Sequence, residues 1–121
     1  MAASKELADF ITDMLEPLGD IHAHRMFGGY GIKYGEVNFA LLLGDLPYFR
    51  VDDRNRPAFE ERGSEPFGYN TKKGEVTVGS YWEVPTDILE DPELFLDWAR
   101  AAIDAALKAH KPKKNRKRKQ A

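Results

Sequence analysis

Ile21-His22-Ala23-His24-Arg25-Met26-Phe27-Gly28-Gly29-Tyr30-Gly31-Ile32 begins as an alternating segment and ends as a glycine-rich one. Ile21, Ala23 and Arg25 fall on one side and His22, His24 and Met26 on the other, the period of two that predicts a strand. The glycines then end or bend that strand, because residues without a Cβ suit a bulge or a tight sheet crossing. Glycines also let backbone N–H groups approach an anion, so Gly28-Gly29-Tyr30-Gly31 has a phosphate cradle as its rival reading. A phosphate loop joins a strand to a helix, whereas this segment leads into another strand and no Gly-Lys-Ser/Thr follows. Backbone geometry is therefore the expected use of these glycines.

Downstream, Tyr30 to Tyr34 and Val37 to Leu43 read as strands joined at Gly35-Glu36, where glycine in the first central position suits a type II′ turn. Gly44 to Pro47 predicts a second turn and Tyr48 to Val51 a further strand. Asp52 to Asn55 offers capping side chains before Pro57, and Gly63 is suited to stop the short helix that carries Phe59. A loop is expected around Pro66 and Gly68. Val76, Val78, Tyr81, Trp82 and Val84 predict a last strand, bulged at Gly79 and stopped by Pro85.

Helices flank these strands. Leu7, Phe10, Ile11, Met14, Leu15 and Leu18 form one stripe from about Ser4, the expected N-cap, to Leu18, with Gly19 as a left-handed stop. Asp91-Pro92-Glu93 opens a second long helix, whose apolar set from Leu94 to Leu107 carries it to about Ala109 before Pro112 ends it. The expected fold is α+β, an antiparallel sheet of about five strands packed against N- and C-terminal helices.

A chain of 121 residues with 42% hydrophobic residues has apolar material for one core, so one domain is expected over residues 1–110. Cysteine is absent, which removes disulfides, thiolate nucleophiles and cysteine-bound metal centres and agrees with a reducing compartment. No signal-like segment and no window near the roughly 18 apolar residues of a membrane span occurs, so a cytoplasmic protein without membrane contact is expected. The net charge of −2 is unevenly placed. Residues 1–110 hold all 20 acidic residues beside 11 basic ones, a net of −9, while residues 111–121 carry seven basic residues and none acidic. That tail has no apolar residue to pack and repels itself, which predicts disorder.

Five motifs in order carry a family likeness: Arg25 to Ile32, Val37-Asn38-Phe39-Ala40-Leu41, Tyr48 to Asp52, Gly63-Ser64-Glu65-Pro66-Phe67-Gly68-Tyr69, and Tyr81-Trp82-Glu83-Val84-Pro85. Together they resemble the N-terminal domain of the TfoX/Sxy family over roughly residues 5 to 108. The resemblance implies a YjbR-like α+β fold and links the chain to regulators of natural competence that act with the cyclic-AMP receptor protein at promoters. It implies a bacterial origin, and it supplies no catalytic residues or cofactor. Full-length members carry a second, helical domain, in whose place this chain has only the basic tail.

The expected role is a noncatalytic regulatory domain that docks a protein partner, a transcription factor being one candidate and a second copy another. Arg25, Met26, Phe27, Gly28, Gly29, Tyr30 and Gly31 form the family motif, structural or partner-binding; Arg25 is expected to pair with a buried carboxylate or to face a groove. Lys111, Lys113, Lys114, Arg116, Lys117, Arg118 and Lys119 are the candidate nonspecific DNA contacts. A ligand- or metal-binding domain is the alternative, since His22 and His24 point the same way and could bind zinc or copper with a third ligand. Only His110 remains as a further histidine. An enzyme would need acids and bases with separated pKa values, and no nucleophile elbow surrounds Ser64 or Ser80. Tyr30, Phe49, Phe67, Tyr81 and Trp82 are read as core rather than as a base-stacking platform, because basic residues are not interleaved with them.

Overall fold

Apolar stripes on the terminal helices and alternation in the middle of the chain give a two-layer molecule in the computed structural model. It describes residues 5–26, 28–44 and 46–120, with the side chains of 69, 70 and 110–120 outside the description. In order, α1 (Lys5–Leu15) leads through a 3-10 turn (Glu16–Leu18) to β1 (Ile21–Met26), β2 (Gly29–Tyr34), β3 (Val37–Leu43) and β4 (Leu46–Arg50). Then come α2 (Arg56–Glu61), β5 (Pro66–Thr71), β6 (Gly74–Glu83), α3 (Thr86–Leu89) and α4 (Pro92–Gln120). The strands form one antiparallel sheet in the order β1-β2-β3-β4-β6-β5.

The sheet has six strands where the sequence predicts about five. The loop expected around Pro66 and Gly68 is instead the edge strand β5, hydrogen-bonded to β6. Proline is compatible with that place because it opens an edge strand, where no inner ladder needs its missing N–H. β4 likewise begins before Tyr48: Pro47 pairs with Leu42, and its carbonyl accepts the Val84 N–H at 2.9 Å. The short helix α3, which buries Ile88, is an addition to the sequence reading.

Several local signals act as read. Gly19 (φ 106°) and Gly63 (φ 76°) stop their helical segments in left-handed backbone, and Gly35 (φ 61°) turns β2 into β3. The Asp91 carboxylate accepts the N–H groups of Glu93 and Leu94 at 3.2 Å, capping α4 at its first turn. Helix α1 stops at Leu15, with Pro17 in the 3-10 turn that follows. Ser4 lies outside the described residues. Helix α4 continues past the end near Ala109, since lysine, arginine and glutamine on either side of Pro112 are good helix formers.

Helices and sheet meet in one core. Ile11 and Leu15 of α1, Phe95, Ala99, Ala102 and Ala106 of α4, Phe59 of α2 and Ile88 of α3 pack on Ile32, Phe39, Leu42, Phe49 and Trp82 of the sheet. The ring of Phe49 lies 6.2 Å from that of Phe39 and 5.3 Å from that of Phe95, so β3, β4 and α4 are joined through aromatic edges. Phe59 stands 4.6 Å from Trp98 and 6.4 Å from Trp82, tying α2 to the same layer.

Candidate functional site

Two irregularities in strand register shape the other face of the sheet. Lys33 pairs with Asn38 but Ile32 pairs with Ala40, so Phe39 is an extra residue in β3. That bulge lets Phe39 and Ala40 both enter the helical core, and it turns Asn38 to the same side as Leu41 and Leu43. On β6, Trp82 pairs with Pro66 and Val78 with Phe67, which leaves the intervening residues bulged around Gly79 as the sequence predicts. Trp82 donates its indole N–H to the Gly79 carbonyl at 3.0 Å and faces the helices, while Tyr81 faces away from them.

The result is a cup of about 690 Å³ on the open face. His24 and Met26 of β1, Asn38, Leu41 and Leu43 of β3, Phe67 of β5, and Val78 and Tyr81 of β6 line it. Strands from both edges of the sheet reach this one cavity, so the sheet curls across its width. Its volume falls within the range of small-molecule sites, about 300–1,000 Å³, and its character matches them: apolar walls with a few convergent polar groups. Leu41 and Tyr81 are buried although they lie outside the main core, because the cup walls shield them.

The polar groups gather at one end. The His24 Nε2 and Asn38 Oδ1 atoms lie 3.1 Å apart, and the Asn38 amide donates to the Tyr81 hydroxyl at 3.0 Å and to the Ala40 carbonyl at 3.1 Å. The Tyr81 hydroxyl donates in turn to the Asn38 carbonyl at 3.2 Å. Arg50 places its guanidinium 5.5 Å from the centre of the Tyr81 ring. Its backbone carbonyl accepts the Asn55 side-chain amide at 3.1 Å, which anchors the end of β4. Along the far wall Tyr48 meets Phe67 edge-on at 5.2 Å. Burial, and after it the charge of Glu83, raises the Tyr48 phenol above the ordinary tyrosine value.

The glycine motif sits beneath this site. A Cβ on Gly31 would come within 2.4 Å of the Met26 sulfur, 2.6 Å of Asn38 Oδ1 and 2.7 Å of His24 Nε2. Three cup residues therefore close over a bare α-carbon. A Cβ on Gly29 would meet the Leu42 carbonyl oxygen at 2.1 Å, and Gly28 adopts φ 77°. Tyr30 packs on the helical side, where Arg25 lies over its ring at 5.6 Å. The carboxylate partner expected for Arg25 is not found among the described residues. Phe27 lies outside them.

Other expected sites are dispersed. His22 is exposed and bonded to Asp20 at 2.5 Å, whereas His24 is engaged with Asn38. Among the described residues no group of three or more histidine, cysteine, aspartate or glutamate side chains could hold a metal. The side chain of His110, and those of the basic tail from Lys111 to Lys119, lie outside the description. The aromatic set divides: Phe49 and Trp82 belong to the helical core, but Phe67 and Tyr81 line the cup, which the sequence reading did not foresee. Its available signal was Val37 to Leu43, where apolar residues fall on both faces of an antiparallel strand.

No helix is long and apolar enough to cross a membrane among the described residues. A family model described as the TfoX N-terminal domain matches residues 13–106. No curated protein matches the chain.

Proposed function

This chain belongs to the TfoX N-terminal domain family, and we propose that it is a noncatalytic regulatory domain that works by binding at the open face of its sheet. The observation that carries this reading is the apolar cup, whose polar residues are engaged with one another rather than held apart as an acid and a base. In this reading, which the family likeness supports, it acts at transcription through contact with a regulator such as the cyclic-AMP receptor protein. The seven basic residues of 111–121 supply nonspecific affinity for DNA.

The test is the fluorescence anisotropy of a promoter fragment bound by the host's purified cyclic-AMP receptor protein, titrated with this chain. Val78→Glu puts a charge in the cup at a half-buried position and is expected to remove any effect on the receptor–DNA complex. Deletion of 111–121 is expected to remove the chain's own weak DNA binding, whose log–log salt slope reaches about −6 if all seven cations pair with phosphates. An unchanged complex at saturating protein, or a salt response indifferent to the deletion, refutes the corresponding part.

A further inference from the structure

The cup has two unlike ends. Asn38, His24 and Tyr81 mark one, and charge accumulates around it. Arg50 lies on the Tyr81 ring, and Lys33 stands directly across from Asn38 on one side and from His22 on the other, on the face opposite buried Ile32. Neither Arg50 nor Lys33 forms an ion pair among the described residues, although residues 1–110 carry a net charge of −9. Asp20, bonded to His22, borders the Lys33 side of this end, and Glu83, paired across from Tyr48 and two residues from Tyr81, borders the Arg50 side. Met26 meets His24 and Asn38 over Gly31, and away from that end the lining is Leu41, Leu43, Phe67 and Val78, with no charged side chain.

From this polarity we infer that the cup binds a free amphipathic carboxylate, an alkyl or aryl body carrying one acid group. The apolar body lies along Leu41, Leu43, Phe67 and Val78, where its removal from water supplies most of the affinity. The carboxylate meets Arg50 and Lys33, cationic donors that form no ion pair among the described residues, and the amide of Asn38 and the hydroxyl of Tyr81 border the same end. Asn55 acts as a positioning residue through its bond to the Arg50 carbonyl. This inference rests on the reading of the cup as the domain's binding face.

The experiment is isothermal titration calorimetry of the full chain with octanoate, decanoate and dodecanoate below their micellar concentrations. Dodecanol, dodecyltrimethylammonium and phosphatidylglycerol vesicles serve as comparison arms. Saturable one-to-one binding is expected, tightening roughly tenfold for every two methylenes added. Dodecanol should bind at least about tenfold more weakly, since it lacks the charge-assisted contacts. Arg50→Gln and Lys33→Gln should lower dodecanoate affinity toward that of dodecanol, and Val78→Glu should abolish binding of both while circular dichroism stays unchanged. The inference is overturned by any of four results: no saturable binding, equal binding of dodecyltrimethylammonium, binding to vesicles alone, or a dimer dispersed by Val78→Glu, which would make a second copy the occupant. If carboxylates do not bind but Val78→Glu still removes the effect on the receptor–DNA complex, the ligand class falls and the proposed function stands. If they bind and that complex ignores Val78→Glu, the proposed function falls instead.

Discussion

The three glycines of the family motif are required for three different physical reasons, and their replacements separate them. Gly28 needs only a left-handed backbone, with open space where a Cβ would go. Gly31 needs room beneath three side-chain ends that can shift, and Gly29 abuts the backbone carbonyl of Leu42, which cannot move without disturbing the β2–β3 ladder. Urea denaturation should therefore rank the alanine variants. Gly28→Ala is expected to cost about 1 kcal/mol, Gly31→Ala about 1–3 kcal/mol, and Gly29→Ala more than either; an inverted order would contradict the close approach at Gly29. Tyr48 carries a pH prediction. Its pKa is raised in the fold by burial and then by Glu83, so the fold binds the phenolic proton more tightly than the open chain does. That stability is fully present below the ordinary value of 10.0 and is lost as pH rises toward the folded value. Tyr48→Phe should thus flatten the alkaline fall in the denaturation midpoint; a fall as steep as the parent's would refute the assignment.

Elements act here through the faces they offer. Helix α4 presents Ala99, Ala102 and Ala106 to the core, small residues that let its axis lie close to the layer containing Phe39 and Phe49. Ala102→Leu adds methylenes to a fully buried site and should cost about 1–3 kcal/mol by chemical denaturation. A neutral outcome would mean that α4 sits farther from the sheet. The bulge in β3 has the opposite consequence: by adding Phe39 to the core side, it releases Asn38 to the cup. Helix stripes, the Asp91 cap and glycine turns were readable because each depends on neighbours a few residues apart, whereas Asn55 makes no capping bond to α2 and bonds instead to the Arg50 carbonyl and the Asp52 N–H. Strand β5 and α3 were missed because their evidence is long-range: Pro66 is acceptable only at an edge, and Ile88 matters only once the helices have closed over it.

Across the whole molecule, the helices cover one face of the sheet and the curl of the strands hollows the other. Charge is partitioned as well, with the acidic bulk in 1–110 and the cations of 111–121 beyond it. An acidic body with a basic end repels polyanions over most of its surface, so the proposed DNA contact and the proposed cup binding would use separate parts of the chain. The sequence by itself determined the α+β class, the Asp91 cap of α4, the glycine stops, the family and the charge asymmetry, all properties of local pattern or composition. Only tertiary structure decided the cup. His24, Asn38, Phe67 and Tyr81 come from four strands, and two register shifts set which way Asn38 and Tyr81 face. A one-residue change of register reverses the face of every residue beyond it, and that register is set by packing between distant segments rather than by the residues alongside.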